Sequence, residues 1–201
     1  MRNELLMGMT MLAAAGTTTE ARPAKSRLYL DEHDLGPGQV TAAAVAEAHK
    51  KDLASQGKHG VHYRAYWLDE KRGKIYCLVE APSPEAAAAV HREAHGLLAN
   101  DVREVTGDSA EWTPAPGQKL FLDRHHFGAG KVTAADVAAA HGKDLAVQAK
   151  HRVRFLNYWF DPGSGTVTCL VEAPTAADAI AAHKEAHGLV PDAIDEVTEG
   201  R

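Results

Sequence analysis

The chain repeats itself, and that repetition limits its fold more than any other feature. Setting Leu28 against Leu120 gives an offset of 92 residues (120 − 28), which holds without a gap through to Thr106 and Thr198. Roughly half of the matched positions are identical, too many for two unrelated globular segments, and no low-complexity period produces the match. The chain is therefore a tandem duplication, and whatever one copy folds into the other must fold into as well. The copies span residues 27–106 and 119–199. Between them "GDSAEWTPAPGQK" is rich in Gly, Pro and Ser, and residues 107–118 read as a linker.

Each copy carries the same order of elements. "RLYLDEH" alternates as a strand does, and Thr41 then caps a helix through "AAAVAEAHKKDLASQ". "VHYRAYWLD" and "KIYCLVEA" are two strands joined by the turn "EKRG", and the second copy matches them with "VRFLNYWFD", "PGSG" and "TVTCLVEA". Ser83 or Thr175 caps a second helix, Gly96 or Gly188 ends it, and "DVREVT" or "AIDEVT" forms a last strand. The order βαββαβ predicts an α+β chain of two tandem ferredoxin-like domains, each a four-stranded antiparallel sheet with both helices on one face. The other face needs a cover. The second copy can supply it as an intrachain pseudo-dimer, because the linker holds each domain at high effective concentration next to the other; pairing of two chains as a homodimer is the alternative.

Composition excludes several classes. At 201 residues, 45% hydrophobic and 24% charged, the chain can bury a core. A net charge of −5 without a basic stripe argues against a nucleic-acid partner. No apolar run approaches the roughly 18 residues that span a bilayer, which argues against a membrane protein. "LLMGMTMLAAAG" after Arg2 has the apolar stretch and small residues of a secretory signal, but Glu4 leaves its start only weakly positive. Residues 1–26 read as a disordered leader or a weak signal, outside the fold. One cysteine per copy leaves no partner for an internal disulfide, which suits a reduced, cytoplasmic setting; an exported protein is the alternative if the leader is a signal.

The histidines fall on the helices in a pattern. Val45, His49 and Leu53 follow at i, i+4 and i+8, which places His49 on the stripe facing the sheet. Ala88, His91 and His95 follow at i, i+3 and i+7, matched by Ile180, His183 and His187. On the third strand Cys77 shares a face with Ile75 and Val79, as Cys169 does with Val167 and Val171, so thiol and imidazoles converge beneath the helices. Two readings stand. A lone buried cysteine behaves as a small hydrophobe, and helical histidines four apart can be core; the same histidines can also reach one metal ion. Asp52 reads equally as a second-shell partner of a ligating imidazole and as a surface charge. His59 and His151 read as solvated loop residues, and Tyr66, Trp67, Tyr158 and Trp159 as core. Glu80 and Glu172 fall on the face opposite the cysteines.

The strings "GVHYRAYWLD", "GKIYCLVEAPSPEA" and "VHREAHG" resemble a bacterial family of small ferredoxin-like proteins that includes nickel-binding members. The resemblance covers nearly all of both copies. It implies an α+β domain that associates as a dimer and binds nickel through His and Cys side chains. On this chain the implied ligands are Cys77, His91 and His95 with Cys169, His183 and His187, to which His49, His141, His33 and His125 are added. The tandem arrangement departs from a single-domain family.

Imidazole and thiolate suit nickel or zinc and argue against calcium or magnesium, which prefer oxygen ligands. The expected function is sequestration or buffering of nickel without catalysis. The alternative is a small-molecule enzyme in which Cys77 is a nucleophile and His49 with Asp52 orients a base.

Overall fold

The computed structural model describes residues 25–107, 112–113 and 115–201. The leader reading for residues 1–24 lies outside them, as does part of the linker. The first copy runs β1 (Arg27–Asp34), α1 (Ala42–Ser55), β2 (His62–Asp69), β3 (Lys74–Ala81), α2 (Pro84–Ala94) and β4 (Asp101–Gly107). The second runs β5 (Lys119–His126), α3 (Ala134–Val147), β6 (Arg154–Asp161), β7 (Thr166–Ala173), α4 (Ala176–Ala186) and β8 (Ala193–Gly200). The architecture is α+β, in two repeated halves built on antiparallel sheet.

Local chemistry sets the element boundaries. Thr41, Ser83 and Thr175 each accept a backbone N–H three residues on, and Thr133 forms a full capping box with Asp136. Gly73 sits in the left-handed region, and a Cβ there would collide with the backbone of Gly36. That close approach lets Leu35 N–H donate to the Gly73 carbonyl at 2.9 Å, tying the end of β1 to the β2–β3 turn.

Strand order within the first copy is β4-β1-β3-β2, and within the second β8-β5-β7-β6. The exposed edges of the two sheets then meet. β2 pairs with β8 through Trp67 and Glu199, and β4 pairs with β6 through Gly107 and Trp159. All eight strands close into one barrel. Closure leaves no free edge among the described strands, and a free edge is where a lone sheet would recruit other chains.

Alternation along the strands separates two cores. One face carries Leu30, Trp67, Tyr76 and Leu78 inward to meet Leu122, Trp159 and Leu170 from the other copy. Trp112 of the linker stacks on Trp67, and Glu199 accepts from both indoles at 2.8 and 3.1 Å. The opposite face packs Tyr29, Tyr63, Cys77 and Val79 against Val45 and Val90 of the helices. The second copy repeats this with Phe121, Phe155, Cys169 and Val171.

One inward patch breaks the repeat. Glu32 accepts from Lys74 at 2.7 Å and from Arg103 at 3.1 Å. At the equivalent positions stand Arg124 and Asp195, paired at 2.7 Å with the charges reversed. Arg124 also donates to the Tyr76 hydroxyl at 2.6 Å and lies 3.9 Å from Glu32, while Arg72 pairs with Asp195.

The helix stripe differs from its expected membership. Leu53 is 37% exposed, and buried Asp52 takes its place. Each residue turns the helix by about 100°, so the seventh after Val45 returns to within about 20° of it while the eighth is rotated by about 80°. Asp144 and Leu145 repeat the exchange. Among the described residues no helix is long and apolar enough to cross a membrane.

Candidate metal centre

The face of β1 that meets the helices carries Tyr29, Asp31 and His33 in alternation. Antiparallel register sets Asp31 opposite Cys77 on β3, and Cys77 opposite Tyr66 on β2. α2 lowers His91 onto this strip and ends at His95, while α1 contributes His49 and Asp52. The ligand atoms of Asp31, His33, Cys77 and His91 lie within 4.8 Å of one another, and all four residues are buried. Asp123, His125, Cys169 and His183 form the same group in the second copy. Beside each lies a further group, Asp52 with His91 and His95, and Asp144 with His183 and His187.

His91 joins the two groups. Its Nε2 lies 3.1 Å from Asp31 and its Nδ1 3.0 Å from Asp52, so both ring nitrogens face a carboxylate. Burial pulls its pKa down, but hydrogen bonds to the two aspartates and their charges outweigh burial and raise it to about 9. His183 sits the same way, 3.0 Å from both Asp123 and Asp144, and is also raised to about 9. Each half thus encloses an imidazolium between two acids at neutral pH.

The neighbouring groups are tuned differently. Burial pushes the Cys77 and Cys169 thiols well up, and the charges of Asp31 and Asp123 add to it. Both cysteines are free. Burial also holds His33 down, so it remains a neutral imidazole with Nε2 3.4 Å from that of His91. Asp31 Oδ1 and Asp123 Oδ1 are buried without a hydrogen bond. An unsatisfied carboxylate oxygen inside a protein is costly, and a cation held beside it would remove that cost.

His95 is oriented by the backbone. Leu97 N–H donates to its Nδ1 at 3.1 Å, which leaves the ring proton on Nε2, 3.3 Å from Asp52. His187 repeats this with Leu189 and Asp144. His49 borders a cavity of about 140 Å³ with its ring 4.9 Å from that of Tyr66, and its buried Nε2 has no hydrogen-bond partner. His141 borders a cavity of about 90 Å³ in the second half.

Of the ten residues expected at the site, Cys77, His33 and His91 converge in one buried group, as do Cys169, His125 and His183. His95 and His187 belong to the adjoining group with Asp52 and Asp144, and His49 and His141 stand across the cavity outside both groups. Asp52 bonds His91 and His95, not His49. His59 and His151 lie in short 3-10 turns, paired with Glu93 and Glu185. Asp31 and Asp123 are additions that sequence reasoning missed. Their signal was an acid on the same strand face as Tyr29 and His33, where alternation calls for an apolar residue.

The model for nickel-responsive SCO4226-like proteins matches residues 29–105 and, separately, residues 121–197. The chain belongs to this family. SCO4226 from Streptomyces coelicolor A3(2) has a solved structure 39% identical to this chain, covering 38% of this chain and 93% of its own length, with a TM-score of 0.36. A putative monooxygenase from Lactobacillus acidophilus NCFM aligns over 87% of this chain and 94% of its own at 8% identity and a TM-score of 0.49. A putative chlorite dismutase aligns over 87% and 96% at 10% identity and a TM-score of 0.45. No curated protein matches. In this SCO4226-like chain the duplicated family segments coincide with the two halves that each carry a buried Asp, His and Cys group.

Proposed function

We propose that each half binds one divalent transition-metal ion, nickel in the first instance, and that the chain serves to sequester or buffer it. The observation that carries this reading is the buried group of Asp31, His33, Cys77 and His91, repeated in the second half, in which one carboxylate oxygen accepts no hydrogen bond and faces His33 Nε2 at 3.6 Å, or His125 Nε2 at 3.5 Å. Imidazole and thiolate donors suit nickel or zinc. The ion would replace the proton on His91 Nε2 and the thiol proton of Cys77, both of which must leave before those atoms can ligate. His95 is a positioning residue in this reading, because its Nδ1 is engaged by Leu97 N–H and its Nε2 proton faces Asp52. The enzyme alternative is disfavoured: a thiol held protonated by burial and an adjacent acid is the reverse of an activated nucleophile.

We further infer that the two halves act as an intrachain pseudo-dimer, with monomeric chains in solution. The reversed charges support this, since Glu32 of one half faces Arg124 of the other, whereas two like halves would set Glu32 against Glu32. Light scattering should give the mass of one chain; a stable two-chain species would favour pairing between chains.

Calorimetric titration of the metal-free chain with nickel, with zinc alongside, tests the metal reading. Binding lost in the Cys77→Ser, Cys169→Ser double variant supports it. An intact chain that binds neither ion overturns it and returns these side chains to the core.

A further inference from the structure

We propose that the two centres are not equivalent, and that the second half loads with metal before the first because Phe155 stands where the first half has Tyr63. The inference rests on the metal reading above and adds an order of filling and the residue that sets it.

The difference lies at the nitrogen that must ligate. In the first half the Tyr63 hydroxyl is 3.3 Å from the Ala87 carbonyl and 3.1 Å from His91 Nε2. A carbonyl only accepts, so the hydroxyl donates to Ala87 and its oxygen shares the Nε2 proton of His91 with the Asp31 carboxylate. Nε2 is also the atom that faces Asp31 and His33, and an ion in the four-residue group must take its lone pair. Metal binding in the first half therefore breaks a buried hydrogen bond and leaves the phenol oxygen without its donor. In the second half the Phe155 ring lies 4.7 Å from that of His183 and has no acceptor to lose. His183 Nε2 meets only the Asp123 carboxylate, at 3.0 Å, among its described polar partners.

Two further differences act in the same direction. Phe127 lies parallel to His125, with centroids 5.9 Å apart, where the first half has Leu35, so a second ligand is held by stacking before any ion arrives. The cavity bordering the group is also smaller, about 90 Å³ against about 140 Å³, leaving the second set of ligands less room to rearrange. Losing one hydrogen bond to a charged donor changes a dissociation constant by on the order of tenfold.

The full-length chain provides the test, with nickel alone as the probe. Cys77→Ser silences the first centre and Cys169→Ser the second, so calorimetry on each single variant reads the centre that remains. The expected result is a Kd about tenfold lower for the second centre. Tyr63→Phe, a substitution the fold already accommodates at Phe155, should close most of that gap when added to Cys169→Ser. Phe155→Tyr should weaken the second centre when added to Cys77→Ser. Equal constants for the two centres, or a gap unchanged by Tyr63→Phe, would overturn the inference while leaving the metal reading intact. No nickel binding by the unmodified chain would instead remove the reading on which it rests.

Discussion

Raising the pH should destabilise the metal-free protein well before any lysine or tyrosine titrates. His91 and His183 are raised to about 9 in the fold and sit near 6.5 in the unfolded chain. Between those values the native state holds a proton that the unfolded state has released, so stability is fully present below about pH 6.5 and is lost as pH rises towards 9. The slope is about 1.4 kcal/mol per pH unit for each group. From pH 6.5 to pH 8 that amounts to about 2 kcal/mol per half and about 4 kcal/mol for the chain, a large share of a typical folding free energy of about 5–15 kcal/mol. Neutral His33 and His49, which are buried, and His95, His141 and His187, which are half-buried, work with the opposite sign. Their contribution is present above about pH 6.5 and is lost on acidification, so stability should peak near that pH. Keeping the window below pH 8.5 avoids ionisation of the unfolded-state thiols. Urea unfolding with a chelator present, at several pH values and with a common slope against denaturant, measures the effect. His91→Gln should roughly halve the pH dependence. A free energy that stays flat or rises from pH 6.5 to pH 8 would refute the buried imidazolium and the aspartate pair that holds it.

Other outcomes follow from the same geometry. Asp31→Asn with Asp123→Asn should weaken nickel binding by tenfold or more in calorimetry, because each removes a carboxylate from the ligand group. His95→Ala should leave nickel affinity within about threefold while lowering stability by about 1 kcal/mol, the loss of one hydrogen bond to Asp52; a complete loss of binding would make His95 a ligand. Saturating nickel at about 100 times its Kd should raise the unfolding free energy by about 3 kcal/mol per centre, reversed by chelation. Arg124→Glu places a third acid beside Glu32 and Asp195, and should cost about 2–4 kcal/mol in denaturant unfolding. Two separate unfolding transitions in the unmodified chain would argue against a shared inner core.

The 92-residue offset, the alternation of "RLYLDEH" and "KIYCLVEA", and the capping threonines and serine already determined two α+β copies and the faces on which Cys77 and His91 lie. Those properties are local, since strand period, helix period and cap chemistry act within a few residues of one another. Distance between elements is a different matter. The alternation of "LYLDEH" puts Asp31 on the face of Tyr29 and His33 but cannot name its partners, because His91 and Cys77 are 60 and 46 positions away and reach it only through strand register and helix docking. The same holds for Asp52, which one helical repeat assigns to the stripe but only the docking of α2 assigns to His91 and His95. His95 looked like the natural companion of His91 by its spacing of four. The left-handed turn at Gly96 instead brings Leu97 N–H onto its ring and fixes its proton. Barrel closure lay furthest from the sequence, for β2 meets β8 and β4 meets β6 only because two twisted sheets, each hydrophobic on its uncovered face, bury those faces and their edges together.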